Sequence, residues 1–158
     1  MEMQSAASKS GATARPVRKT LIVRVAPDVA FQRFTAEIGR WWPMRTHSVG
    51  EHETTDVILE GHVGGRLFER TANGTEHPWG SVIAWEPPSR VVFTWHVGRA
   101  PSAAQEVEVR FTRDGSGGTV VELEHRGWEH LPDEARTQRD RYDSGWTGVL
   151  AHYEKSLA

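Results

Sequence analysis

The architecture of this chain is most legible in QEVEVRFT (105–112) and TVVELEHR (119–126), two stretches separated by a turn containing Asp114-Gly115 and Gly117-Gly118. Val107, Val109 and Phe111 alternate with Glu106, Glu108 and Arg110, and Val121, Leu123 and His125 alternate with Glu122 and Glu124. A period of two with one apolar and one polar face is the pattern of a half-buried strand, and it is typical of antiparallel sheets with one wet side. Glu106, Glu108, Glu122 and Glu124 are read as the solvated outer face of two neighbouring strands, with Arg110 and Arg126 offsetting their repulsion. By the same parity His125 points inward.

Working toward the N-terminus, further strands are expected at 54–60, 66–70, 79–85 and 90–96. Gly64-Gly65, Asn73-Gly74 and Pro87-Pro88 supply turn chemistry between them. A first strand is expected at 20–25, closed by Ala26-Pro27. Proline suits the first position of a helix, where its missing N–H costs nothing, and Asp28 in the first turn complements the helix dipole. Phe31, Phe34 and Ile38 then share one helical face, and a second short helix is expected at about 37–42. Toward the C-terminus the period becomes helical again. Tyr142, Trp146, Val149, Leu150, Tyr153 and Leu157 form one stripe. With a start at Pro132-Asp133-Glu134, that helix would run about 25 residues, long enough to cross a small sheet. Residues 1–15 are small and polar without periodicity and are expected to be a disordered tail, leaving 16–158 as one α+β domain.

Composition narrows the function classes. The chain of 158 residues contains no Cys, so disulfides and thiolate chemistry are excluded. Lys and Arg number 19 against 21 Asp and Glu, without the basic stripe of a nucleic-acid binder. No apolar run approaches the roughly 20 residues of a membrane span, and no signal-peptide core is visible, which makes cytoplasm the expected location. The seven Trp equal Phe and Tyr combined. Trp offers a large apolar body with one N–H donor, and suits cores, interfaces and pocket walls alike.

Several segments, in this order and spacing, resemble a known family. They are Gly64-Gly65-Arg66, GSVIAWEPP (80–88), RVVFTW (90–95), Gly118-Thr119, and Gly145-Trp146 with Leu150. Together they are similar to the Hsp90-ATPase-activator-homologue (AHSA1-like) branch of the START/Bet v 1 superfamily, over about residues 18–157. The resemblance implies a helix-grip fold: a seven-stranded antiparallel sheet curled around a long C-terminal helix, two short helices after the first strand, and a cavity between sheet and helix. Its members include ligand binders, polyketide cyclase-like enzymes and a co-chaperone module, so fold alone does not settle function. A homodimer is implied on family likeness only.

Trp42, Phe68, Phe93, Trp95, Trp146 and Leu150 are the candidate walls of such a cavity; solid core packing is the alternative for each. His125 is read either as a ligand partner or general base, its unperturbed pKa lying near 6.5, or as a satisfied inward histidine at a strand end. The groupings His125, Glu129, His130 and His47, His52, Glu53 do not match usual zinc spacings, and no metal or cofactor is assigned. No Gly-x-Ser-x-Gly or phosphate-cradling loop is present. The expected function is binding of a small apolar or amphipathic molecule. One alternative is a cyclase or dehydratase using His125 with a carboxylate such as Glu69, and another is a chaperone-related interaction module.

Overall fold

Strand and helix periods divide this chain as the alternation implies. The computed structural model describes residues 14–158. Along it run β1 (Val17–Val23), α1 (Pro27–Phe34), β2 (Thr54–Leu59), β3 (Arg66–Thr71), β4 (Glu76–Glu86), β5 (Arg90–Trp95), β6 (Gln105–Arg113), β7 (Thr119–Arg126) and α2 (Ala135–Ser156). The strands form one seven-stranded sheet in the order β1-β7-β6-β5-β4-β3-β2. Every neighbouring pair is antiparallel.

The β6–β7 hairpin shows how local chemistry sets register. Asp114 Oδ1 accepts from the Ser116 and Gly118 amides at 2.7 and 2.9 Å. Gly115 and Gly117 take φ of 89° and 94°, which side chains rarely adopt. Val107 therefore faces His125, and Val109 faces Leu123. These four are buried on the inner face.

β4 is longer than the alternation predicts. Its first half pairs with β3 and its second with β5, and the register shifts in both ladders. At Gly80 a Cβ would sit 1.8 Å from the Thr94 carbonyl oxygen, so only glycine admits this approach of backbones. Such irregularities increase local twist, and the sheet curls into a half-barrel around α2.

α1 begins with Pro27 as expected and buries Phe31 and Phe34. The second short helix is realised as a single 3-10 turn, Ile38–Arg40, which buries Ile38. α2 starts at Ala135 and runs 22 residues. Trp146, Val149, Leu150 and Tyr153 are its buried stripe, and the Tyr153 hydroxyl donates to the Ala30 carbonyl at 2.7 Å. Arg33 of α1 donates to the Ser156 carbonyl at the end of α2, where a cation suits the helix dipole. Of the expected tail, residues 1–13 lie outside the described residues. Ala14 packs against the core, and the Arg15 carbonyl accepts from Arg139 Nε at 3.0 Å.

Two expectations, Glu108 as a solvated residue and Phe68 as a cavity wall, need correction. Glu108 is not solvated: its side chain is 7% exposed, and it meets Arg126, Arg90 and Arg110 at 2.6, 2.7 and 2.7 Å. Burial pushes its carboxyl up, but these guanidinium contacts outweigh that and hold it below the usual range. Phe68 belongs to the outer face as well. It is buried not by the core but by the guanidinium groups of Arg66 and Arg70, 4.1 and 5.5 Å from its ring centroid.

Candidate functional site

The site grows from two inward polar side chains and the aromatic layer between them. His125 lies at the end of β7 with Val17 and Val107 as its cross-strand neighbours. It is fully buried. The Trp146 indole N–H donates to its Nδ1 at 3.0 Å. An indole nitrogen can only donate, so Nδ1 is unprotonated and the proton resides on Nε2. Nε2 in turn donates to Gln105 Oε1 at 3.1 Å, and Gln105 Nε2 donates to the Ala103 carbonyl. After β7, Gly127 takes φ of 94°, and the chain turns back so that Trp128 stacks on the imidazole with centroids 4.3 Å apart. Burial lowers the His125 pKa to about 3. It is a neutral, fully satisfied histidine.

Glu69, on β3, is also fully buried but ionised. Its Oε1 accepts from the Val49 amide and Trp79 Nε1, and its Oε2 from the Gly50 amide and Thr54 hydroxyl, all at 2.7 to 2.9 Å. Burial raises the carboxyl pKa, but the four donated bonds more than offset it, and the net shift is downward. Glu69 thereby fastens the segment that precedes β2, at Val49 and Gly50, onto the sheet. Neither residue bonds the other, so the alternative in which His125 and Glu69 share a proton has no direct contact behind it.

Beside these anchors a pocket of about 400 Å³ is lined by Trp42, the segment 46–48, the end of β5 and the middle of α2. Trp42, Trp95 and Trp146 make its aromatic wall, with ring centroids 5.5 to 5.9 Å apart. Exposed Thr46, His47 and Arg141 stand at its rim. His47 is held below its ordinary pKa by partial desolvation at the rim and by the nearby His152. Each wall indole spends its N–H on the protein: Trp42 on the His47 carbonyl, Trp146 on His125 and Trp95 on the Tyr142 hydroxyl. They present hydrocarbon and π surface to the pocket.

Of the residues named from sequence, Trp42, Trp95 and Trp146 line this pocket. Phe93, His125 and Leu150 are buried without lining it, and Phe68 is on the other side of the sheet. Sequence reasoning missed Tyr142, Gly145, Gln138 and Arg141 on α2 as pocket residues, together with the 46–48 segment. Tyr142 was visible one turn before Trp146 on the helix stripe. Gly145 was also detectable, because glycine inside a helix costs about 0.5–1 kcal/mol relative to alanine. A Cβ there meets nothing within 4 Å, so packing does not demand the glycine. Among the described residues no three His, Asp or Glu stand together as metal ligands, and no helix is long and apolar enough to cross a membrane.

A half-barrel sheet closed over a long C-terminal helix, with an aromatic pocket between them, defines a helix-grip domain of the START/Bet v 1 kind. The chain belongs to the family described as activator of Hsp90 ATPase homolog 1-like protein, whose model matches residues 24–157. Among solved structures it is similar to an anthrahydroquino-gamma-pyrone synthase, Txn09, complexed with SUM. That match has 30% identity, covers 90% of this chain and 97% of that one, and has a TM-score of 0.61. The Aha1 dimer from Colwellia psychrerythraea matches with 17% identity, coverage of 90% and 96%, and a TM-score of 0.67. CalU16 from Micromonospora echinospora matches with 20% identity, coverage of 92% and 77%, and a TM-score of 0.64. No curated protein is similar enough in sequence to count as a match.

Proposed function

We propose that this protein binds a small, flat, amphipathic aromatic molecule in the pocket between sheet and α2. The observation that carries the reading is the wall of Trp42, Trp95 and Trp146, whose N–H groups are all engaged elsewhere. Such a wall offers stacking and apolar contact, while the Thr46, His47 and Arg141 rim suits a polar end near solvent. The volume of about 400 Å³ falls within the range of small-molecule sites. Calorimetric titration with 1-anilinonaphthalene-8-sulfonate tests it. The wild type should take up one equivalent saturably. Gly145→Leu, which fills the pocket from α2 without a clash at Cβ, should take up none while remaining folded. Absence of saturable one-site binding by the wild type would sink the reading.

The likeness to the pyrone synthase favours a second reading, in which a bound aromatic precursor is converted rather than merely held. Proton handling would then fall to groups of the pocket itself. His125 has both ring nitrogens engaged and a pKa of about 3, and Glu69 is saturated with donors. Recovery of bound aromatic compounds unchanged in mass and chromatographic retention would favour holding over conversion. Homodimerisation is part of the same proposal, supported by the Aha1 of similar fold that forms a dimer. Sedimentation equilibrium checks it.

A further inference from the structure

Tyr142 is the one phenol on the pocket wall, and the polarity of its hydroxyl is determined by its neighbour. The Trp95 indole donates to the Tyr142 oxygen at 3.0 Å. Because that nitrogen cannot accept, the tyrosine proton must point elsewhere. Among the described residues no acceptor receives it. The ring is held rigidly, edge to face with His125 at 4.9 Å and tilted over Trp128 at 5.7 Å. An N–H donated to a hydroxyl oxygen also polarises the O–H and makes it a better donor. The same wall carries exposed Arg141, whose charge also acts on the Glu134 carboxylate and which favours electron density on whatever approaches.

We infer that the Tyr142 hydroxyl donates a hydrogen bond to the ligand and selects aromatic compounds bearing an oxygen acceptor, such as a quinone or aryl ketone carbonyl, over hydrocarbons of the same shape. The inference rests on the pocket reading above and deepens it. The surrounding indoles accept no hydrogen bond through nitrogen and have none left to donate, so Tyr142 alone imposes polarity on the aromatic wall. It is a specificity-determining residue that reads acceptors at that point.

Fluorene and 9-fluorenone form a suitable probe pair, being planar and nearly isosteric but differing by a methylene and a carbonyl. Their affinities are measured on the wild type, Tyr142→Phe and Gly145→Leu. The ratio of fluorenone to fluorene affinity should fall about three- to tenfold in Tyr142→Phe, the span expected for one neutral hydrogen bond. Fluorene affinity should be nearly unchanged, which also shows that the wall survives loss of the Trp95 acceptor. On the wild type alone, the infrared carbonyl stretch of bound fluorenone should lie below its position in an aprotic solvent. If both probes bind and the ratio does not change, or the stretch sits at its aprotic position, Tyr142 is not the donor. If neither probe binds the wild type saturably, or both bind Gly145→Leu equally well, the pocket reading fails first and this inference with it.

Discussion

Glu69 and His125 face the same interior from near opposite edges of the sheet, both fully buried, yet one is an anion and the other neutral. The difference lies in the polarity of their partners. Four donors converge on the Glu69 carboxylate without any cation, and together they hold its charge against desolvation. His125 meets one donor and one acceptor, an arrangement that fits only the neutral imidazole. Burial depth alone therefore does not set the charge state; the count and direction of hydrogen bonds do. Each group also fixes one side of the pocket. Glu69 secures Val49 and Gly50, next to the rim residues Thr46 to Ser48, and His125 orients Trp146.

Removing the anion should have the largest effect. Glu69→Leu leaves two amides, a hydroxyl and an indole without their acceptor, and should cost on the order of 4 kcal/mol in denaturant unfolding. A loss under about 1 kcal/mol would mean that solvent or neighbours replace the carboxylate with little penalty. His125→Leu orphans only Trp146 Nε1 and Gln105 Oε1, so about 2–3 kcal/mol is expected. If it proves costlier than Glu69→Leu, the ordering argued from partner count is wrong.

Acid should separate the two sites in a titration of stability. His125 has a folded pKa of about 3 against the usual 6.5, so below pH 6.5 the unfolded chain binds a proton that the folded one refuses. Stability then falls as pH drops toward 3, at up to ~1.4 kcal/mol per pH unit. His47, also depressed, adds a contribution of the same sign. Glu69 is lowered from the usual 4.5, so its contribution is fully present above that value and is lost only as pH falls below it. Subtracting the His125→Leu curve from the wild type should leave a slope between pH 4.5 and 6.5, and subtracting Glu69→Gln should leave none there. A slope in that window that survives in His125→Leu would assign it to the other histidines.

The smallest effect should come from Gly145, a wall position in contact with neither anchor side chain. Gly145→Ala should raise stability by about 0.5–1 kcal/mol through helix propensity, because its Cβ meets nothing within 4 Å. It should at the same time weaken uptake of an aromatic probe. Destabilisation by alanine would show that α2 packs more tightly there than the geometry indicates.

The alternation in 105–112 and 119–126 carried the fold, because the hairpin is regular and its inner residues meet one another. It also placed His125 inward. At Leu67, Phe68 and Glu69 parity holds but residue type misleads, because all three are buried: the first and third face the core, while the apolar second is capped by two arginines on the outside. Glu108 is on the outer face as its parity implies, but it is not solvated there. Its burial depends on arginines from β5, β6 and β7 converging across the register, and no single strand pattern encodes that. The aromatic wall was partly legible because Trp42, Trp95 and Trp146 are large and lie where elements end or cross. The other side was not, since Thr46 to Ser48 is irregular and is positioned by a distant carboxylate.

The closeness of Trp42, Trp95 and Trp146, with centroids no more than 5.9 Å apart, has an optical consequence. At such separations excitation of one indole is shared with the others, and their transition dipoles couple. The near-ultraviolet circular dichroism of this protein should carry a strong exciton signal from the cluster, and any occupant that quenches one ring should darken all three. The pocket is thus its own reporter, readable without an added label.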